Sequence, residues 1–168
     1  MATVTFKGTP VHTNGDLPKI GTKAPDFVLT DGELNDRTLR SFQGKRKLLS
    51  IVPSLDTGVC ALSAKKFNEA AKTHPEIQVI FVSCDLPFAQ KRLCTSESLQ
   101  NINTLSMMRS KDFATQYGVL LTDGPLAGLA ARACLVLDEN NMVLYTELIK
   151  EITQEPNYQK VLEIVLQT

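Results

Sequence analysis

The sequence has no excess of charge of either sign. Its 18 lysine and arginine residues balance 18 aspartate and glutamate residues, so the formal net charge is zero. Proteins that bind nucleic acids or membrane surfaces usually carry a basic excess, and the composition therefore argues against both kinds of partner. The sequence also lacks a run near the roughly 20 apolar residues of a membrane span. Its first six residues lack the basic and apolar regions of a signal peptide. We therefore expect a cytoplasmic protein.

The sequence is poor in the residues that build metal sites and hydrolase sites. It has four cysteines and two histidines, and no two cysteines form a Cys-x-x-Cys pair. A zinc site and a thioredoxin-type dithiol site are both disfavoured, and we expect no metal and no cofactor. A cysteine hydrolase would need a histidine as general base. His74 is predicted at the far end of the helix that begins near Cys60, about 20 Å away, and His12 lies in a predicted edge hairpin. A hydrolase is therefore disfavoured as well.

The apolar pattern is that of one α/β domain covering residues 1–168. A length of 168 residues favours one domain over two. One β-hairpin is predicted around Gly8 and another at residues 133–146. Between them strands alternate with helices, which predicts a thioredoxin-like fold with a mixed central sheet flanked by helices. The predicted strands are 27–29, 48–52, 78–83 and 102–105, and the predicted helices are 60–72, 88–93, 112–117 and 158–166.

Cys60 is the candidate for chemistry. The segment from Pro53 to Cys60 joins a buried strand to a helix, which places Cys60 in the first helical turn. The free backbone N–H groups of that turn point toward the sulfur, and the helix macrodipole adds about half a positive charge there. Both effects favour the thiolate, which is the nucleophilic form. Thr57 is a candidate helix cap. Position alone leaves open the alternative that Cys60 is a small buried residue.

Pro53, Thr57 and Cys60 form a Pro-x-x-x-Thr-x-x-Cys motif that resembles the motif of the peroxiredoxin family. Further segments resemble the bacterial thiol peroxidase branch of that family, and together they extend over nearly the whole chain. These segments are residues 21–27, 56–60, 85–90, 123–126, 128–132 and 151–156. The resemblance implies a peroxidase that uses neither metal nor haem.

The resemblance also implies roles for individual residues. Cys60 would be the peroxidatic cysteine, whose thiolate attacks a hydroperoxide and becomes a sulfenic acid. Thr57 and Arg132 would stabilise the charge that develops on the peroxide oxygens. Pro53 would pack over the sulfur and limit solvent access. Without the resemblance, Arg132 would be interpreted as a member of an ordinary surface ion pair.

By the same resemblance, Cys94 would be the resolving cysteine and would form an intramolecular Cys60–Cys94 disulfide. A disulfide needs Cα atoms within about 7 Å, and two cysteines in separate packed helices do not meet that limit without movement. We therefore expect the helical segments around both cysteines to unfold locally on oxidation. The resemblance further implies regeneration by thioredoxin and a homodimeric protein.

Two questions stay open from the sequence. A non-enzymatic redox sensor would use the same Cys60 and Cys94 chemistry but would show poor turnover. An apolar approach to Cys60 would favour alkyl or lipid hydroperoxides over hydrogen peroxide, although the same residues would fit equally well as plain core. The candidates for this approach are Phe27, Leu55, Leu86, Phe88 and Leu126. The two remaining cysteines, Cys84 and Cys134, are expected to be inert core residues.

Overall fold

The computed structural model of the chain describes residues 1–167, so the last residue of the predicted domain, Thr168, lies outside the described residues. Within these residues nine strands and four α-helices follow one another, with a 3-10 helix (Leu39–Phe42) between the fourth and fifth strands. The elements are β1 (Thr3–Phe6), β2 (Thr9–His12), β3 (Leu29–Thr30), β4 (Asp36–Arg37), β5 (Arg46–Ile51), α1 (Gly58–Thr73), β6 (Ile77–Ser83), α2 (Pro87–Ser96), β7 (Asn103–Ser106), α3 (Asp112–Gln116), β8 (Ala133–Leu137), β9 (Val143–Leu148) and α4 (Tyr158–Val165).

Seven strands form one mixed sheet in the order β4-β3-β7-β6-β5-β8-β9. Strands β5, β6 and β7 run parallel, whereas β8 runs antiparallel to β5 and pairs with β9. Strands β1 and β2 form a separate antiparallel sheet of two strands. The predicted mixed sheet, the N-terminal hairpin and the late antiparallel pair are therefore confirmed.

Two apolar clusters cover the two faces of the sheet, because successive side chains of a strand point to opposite faces. Leu49 of β5 belongs to the first cluster, which α3 joins, and its neighbour Leu48 belongs to the second. In the second cluster α1 contributes Cys60, Ala64 and Phe67, as the predicted apolar face of this helix requires. Cys60 therefore lies on the face of the sheet that α1 and α4 cover.

One edge of the sheet differs from the prediction. The strand predicted at 27–29 is found at Leu29–Thr30 (β3), because the Phe27 N–H donates to the Asp26 carboxylate at 2.8 Å and not to a neighbouring strand. The partner strand β4 and the 3-10 helix were not predicted. A strand of two residues carries no periodicity, and β4 exists through its pairing with β3, where Leu29 lies opposite Arg37.

The N-terminal hairpin is bound to the segment that follows β9. The Thr5 N–H donates to the Lys150 carbonyl at 2.6 Å, and the Ile152 N–H donates to the Thr5 carbonyl at 2.9 Å. The Glu151 carboxylate accepts hydrogen bonds from the Thr5 hydroxyl at 2.6 Å and from the Lys7 N–H at 3.0 Å. The first strand of the hairpin is thus held by residues 150–152.

We predict that Glu151 holds the hairpin as a carboxylate down to low pH. Hydrogen bonds from the hydroxyls of Thr5 and Thr153 lower the pKa of Glu151 from 4.5 to about 2. Folding lowers the pKa of Glu151. The contribution of the Glu151 carboxylate to the stability of the fold is therefore complete above about pH 4.5 and is lost as the pH falls through about 2. An NMR titration that follows the amides of Lys7 and Gly8 should show a midpoint near pH 2.

The matched variants are Glu151→Gln and Glu163→Gln, the latter on the exposed side of α4. The first should abolish the transition at the Lys7 and Gly8 amides, and the second should leave it unchanged. A wild-type midpoint near the ordinary value of 4.5 would contradict the assignment.

Candidate active site

The turn between β5 and α1 places Cys60 at the start of α1. Strand β5 ends at Ile51, and α1 begins at Gly58. Thr57 is the N-cap, with φ −128° and ψ 152°, and its Oγ1 accepts a hydrogen bond from the Cys60 N–H at 3.4 Å. Cys60 is the third residue of the helix, in the turn whose N–H groups have no intrahelical acceptor. The helix end therefore favours negative charge on the sulfur.

Arg132 contacts the sulfur of Cys60 directly. Its Nη1 donates to Cys60 Sγ at 2.9 Å, and its Nε donates to the Ile152 carbonyl at 2.8 Å. The Arg132 residue is 4 % exposed and Cys60 is 0 % exposed, so the guanidinium charge acts on the sulfur away from bulk water. The guanidinium is therefore held at hydrogen-bond distance from the sulfur by a backbone carbonyl.

The register between β5 and β8 explains why Arg132 lies beside Cys60. Ile51, the last residue of β5, pairs with Ala133, the first residue of β8. Because the two strands run antiparallel, the residue before β8 lies next to the turn that follows β5. Sequence reasoning found Arg132 through the family resemblance alone, since the pairing of β5 with β8 leaves no local signal near either residue.

The other two motif residues lie in the same turn. Thr57 is exposed, and its hydroxyl also donates to the Ser54 carbonyl at 3.3 Å. Pro53 is buried. The structure therefore brings Thr57, Cys60 and Arg132 together, with Pro53 in the turn that leads to them.

Asp85 is a residue of the site that sequence reasoning did not single out. Its carboxylate accepts hydrogen bonds from the Ser54 hydroxyl and from the Leu55 N–H, both at 2.7 Å. It also accepts one from the Ser83 hydroxyl at 2.7 Å. Strands β5 and β6 are parallel neighbours, so the segments after their carboxyl ends lie side by side. A polar residue just after each strand was the signal that could have identified this contact.

Cys94 lies on α2 and is half-buried against the cluster that contains Cys60. Burial raises the pKa of the Cys94 thiol, and a hydrogen bond with the side chain of Thr104 opposes this rise. All four cysteines are free thiols in the structure. The Cys60–Cys94 disulfide therefore stays a prediction.

The two remaining cysteines have different surroundings. Cys134 is buried in the second cluster, and burial raises its pKa to about 12. Cys84 is only half-buried at the margin of the first cluster, with its sulfur 3.8 Å from the Gly128 carbonyl oxygen. Burial raises the pKa of Cys84 as well. Both residues are thus held as protonated thiols at neutral pH, although Cys84 lies closer to the surface than expected.

The predicted apolar approach to Cys60 is only partly assembled. Leu55 is buried in the same cluster as Cys60, whereas Phe27 and Leu126 pack with the cluster on the other face of the sheet. Leu86 and Phe88 are 53 % and 62 % exposed. Phe27 and Leu126 are therefore core residues of that other face, as the alternative interpretation expected.

A cavity of about 300 Å³ separates the turn before α1 from α2. It is lined by Leu55, Asp56, Asp85, Ala89, Gln90, Arg92, Leu93 and Ser96. The cavity thus lies between the segment that carries Cys60 and the helix that carries Cys94.

Among the described residues, neither histidine forms a hydrogen bond with Cys60. His12 Nδ1 lies 2.6 Å from an Asp123 carboxylate oxygen, and His74 is the C-cap at the opposite end of α1. In the part of the chain that the structure describes, no three His, Cys, Asp or Glu side chains are grouped as metal ligands. Among the same residues, no helix combines the length and apolar character needed to cross a membrane.

Comparison with known proteins places the chain among thiol peroxidases. A family model described as Redoxin matches residues 19–162. The chain is 42 % identical over 160 residues to a thiol peroxidase of Vibrio cholerae serotype O1, an alignment that covers 95 % of this chain and 98 % of that protein.

Solved structures agree over almost the whole chain. A peroxiredoxin-like protein from Aquifex aeolicus superposes with a TM-score of 0.92 at 41 % identity, covering 98 % of this chain and 96 % of that one. A thiol peroxidase from Chromobacterium violaceum superposes with a TM-score of 0.90 at 27 % identity, covering 97 % and 94 %. These matches confirm the predicted family and the thioredoxin-like fold. The chain belongs to the redoxin family, within its thiol peroxidases, and is an oxidoreductase of the peroxiredoxin type.

Proposed function

We propose that the chain reduces hydrogen peroxide and organic hydroperoxides at the Cys60 thiolate. The observation that carries the proposal is the 2.9 Å contact between Arg132 Nη1 and Cys60 Sγ at the N-terminus of α1. The thiolate attacks one peroxide oxygen and the O–O bond breaks. The leaving oxygen takes a proton from solvent and departs as water or an alcohol, and Cys60 keeps the other oxygen as a sulfenic acid.

Arg132, Thr57 and Pro53 support this step in different ways. Negative charge shifts from sulfur to the leaving oxygen, and the buried guanidinium of Arg132 is a preorganised donor beside that path. Thr57 holds the Cys60 N–H and presents its hydroxyl at the exposed rim of the turn. Pro53, buried in the same turn, limits the access of water to the sulfur.

Cys94 resolves the sulfenic acid in the proposed cycle. Its sulfur attacks the Cys60 sulfur, the S–S bond forms, and the hydroxyl group of the sulfenic acid leaves with the Cys94 proton as water. A thioredoxin dithiol then reduces the disulfide by thiol–disulfide exchange. Because Cys60 is 0 % exposed and Cys94 is half-buried on a separate helix, both segments open locally before the bond forms.

The remaining properties are proposals that follow from the family. We propose a single domain over residues 1–168 that acts in the cytoplasm against oxidative stress, with thioredoxin as its reductant. We also propose a homodimer. Hydroperoxides are the proposed substrates, and neither nucleic acid nor membrane is a proposed partner.

We predict that Cys60→Ser abolishes peroxide consumption with thioredoxin, because it removes the nucleophile. Cys94→Ser should consume about one equivalent of peroxide and then stop at the sulfenic acid, which dimedone labelling and mass spectrometry detect. Cys84→Ser is the control and should turn over normally.

Disulfide mapping after one equivalent of peroxide tests the same assignment. The dominant product should be a Cys60–Cys94 bond within one chain, and any other dominant bond would exclude the resolving role of Cys94. A wild-type protein that reacts once and turns over poorly with thioredoxin would favour a redox sensor.

We predict that Arg132→Met lowers the second-order rate constant for peroxide reduction by about 100-fold, the usual effect of removing one preorganised donor. Arg132→Lys keeps the charge but cannot donate to both Cys60 and Ile152, so it should recover only part of the rate. Arg109→Met is the control, since Arg109 is half-exposed and pairs with Asp36. The rate of Cys60 carboxymethylation should fall in parallel with the peroxidase rate. An Arg132→Met protein with an unchanged rate would remove Arg132 from the mechanism.

We predict a higher kcat/KM for cumene hydroperoxide than for hydrogen peroxide. The exposed side chains of Leu86 and Phe88 precede and begin α2, next to the cavity beside Leu55, and they offer apolar contact to an organic substrate. Phe88→Ser should reduce the ratio of the two kcat/KM values, with Val28→Ser, another exposed apolar position, as the control. Equal values for the two peroxides in the wild type would contradict the prediction.

A further inference from the structure

We infer that Asp85 is a positioning residue that holds both cysteine-bearing segments in their folded positions. Its loss would therefore slow the reaction of Cys60 with peroxide and speed the formation of the Cys60–Cys94 disulfide. The inference rests on the proposed cycle and names a residue that controls the balance between its two thiol steps.

Asp85 holds the turn before α1. The Asp85 carboxylate accepts hydrogen bonds from the Ser54 hydroxyl and the Leu55 N–H at 2.7 Å each. The Ser54 carbonyl accepts a hydrogen bond from the Thr57 hydroxyl at 3.3 Å. The Thr57 hydroxyl oxygen accepts one from the Cys60 N–H at 3.4 Å. A continuous series of hydrogen bonds therefore runs from Asp85 to the backbone of Cys60.

Asp85 is also connected to α2, the helix that carries Cys94. The Ser83 hydroxyl, which donates to Asp85 at 2.7 Å, accepts a hydrogen bond from Gln90 Nε2 at 3.0 Å. The same nitrogen donates to the Leu105 carbonyl at 2.9 Å. Gln90 is 0 % exposed and lies one turn before Cys94 on α2. Asp85 thus reaches α2 through Ser83 and Gln90.

Apart from this connection, α2 is weakly held. Pro87, at its first position, and Gln90 are its only buried residues. The Oε1 atom of Gln90 is buried without a hydrogen-bond partner, and the cavity of about 300 Å³ lies between α2 and the Leu55 turn. Leu93 and Cys94 are half-buried and pack against the second cluster. A helix with so few fully buried side chains beside a cavity opens more readily than one that buries a whole apolar face. Among the contacts that must break before Cys94 can move, the connection through Gln90 is the fully buried polar one.

This geometry predicts opposite effects on the two thiol steps. When Asp85 is replaced by Asn, the negative charge that strengthens its hydrogen bonds with Ser54, Leu55 and Ser83 is lost, and the NH₂ group cannot accept the Ser54 hydroxyl as the carboxylate oxygen does. The turn then holds Cys60 less well, which slows attack on peroxide. The folded state of the two cysteine-bearing segments also loses stability relative to their locally unfolded state. Disulfide formation becomes faster where this local unfolding limits its rate.

The experiment measures both steps on the full-length protein by rapid quench, alkylation and mass spectrometry. Asp85→Asn should slow sulfenic acid formation by about tenfold and speed disulfide formation by a similar factor, the size expected for one charge-assisted hydrogen bond. Gln90→Ala should speed disulfide formation alone, because it frees α2 without changing the turn. In excess peroxide, both variants should accumulate less Cys60 sulfinic acid than the wild type.

Asp112→Asn is the control, since Asp112 is exposed in the first turn of α3, on the other face of the sheet. Both rates should be unchanged in this variant. Two rates of Asp85→Asn that fall together, or two unchanged rates, would overturn the inference. If the wild type itself forms no Cys60 sulfenic acid or no Cys60–Cys94 disulfide, the proposed cycle fails instead, so the two failures are distinguishable.

Discussion

The hydrogen bond from Arg132 to the sulfur of Cys60 is the interaction on which the site depends. It joins a residue just before β8 to the third residue of α1, and each partner is held in place by backbone groups. Thr57 caps the helix at the Cys60 N–H, and the Ile152 carbonyl fixes the guanidinium. The antiparallel register of β5 and β8 brings the two segments together. A buried positive charge beside a helix N-terminus thus lies at the sulfur that we propose as the nucleophile.

The two cysteine-bearing helices are held by different kinds of contact. Helix α1 packs Ala64 and Phe67 into the second apolar cluster, so most of the helix stays in place when its first turn opens. Helix α2 has Gln90 as its main buried side chain and a cavity beside it. This difference suits the proposed cycle, in which the Cys60 sulfur must be accurately placed for attack on peroxide and the Cys94 sulfur must move to reach it. The hydrogen bonds of Asp85 connect the turn before α1 with α2, so that one residue contacts the segments of both cysteines.

The sequence predicts the parts of the molecule that depend on local pattern. The buried strands, the apolar face of α1 and the position of Cys60 in its first turn follow from periodicity and from Pro53 and Thr57. The edge strand β4 does not, since two residues show no period and need β3 to form. Asp85 and Arg132 are long-range partners of the turn and of Cys60. The contact of Arg132 leaves no local signal in the sequence, and the polar residues that follow β5 and β6 are a weak signal for the contact of Asp85. The family resemblance supplied Arg132, whereas Asp85 emerged from the geometry of β5 and β6.

The attachment of the N-terminal hairpin to residues 150–152 sets the order in which the site is completed during synthesis. Thr5 binds a side chain 146 positions later, and its carbonyl binds the N–H of Ile152, the residue whose own carbonyl orients Arg132. These contacts cannot form until residues 151 and 152 have been translated. At about 5–20 residues per second, the interval between synthesis of Cys60 and of Ile152 is on the order of 5 to 20 seconds. During that interval the Cys60 thiol of the nascent chain lacks a guanidinium oriented by the Ile152 carbonyl.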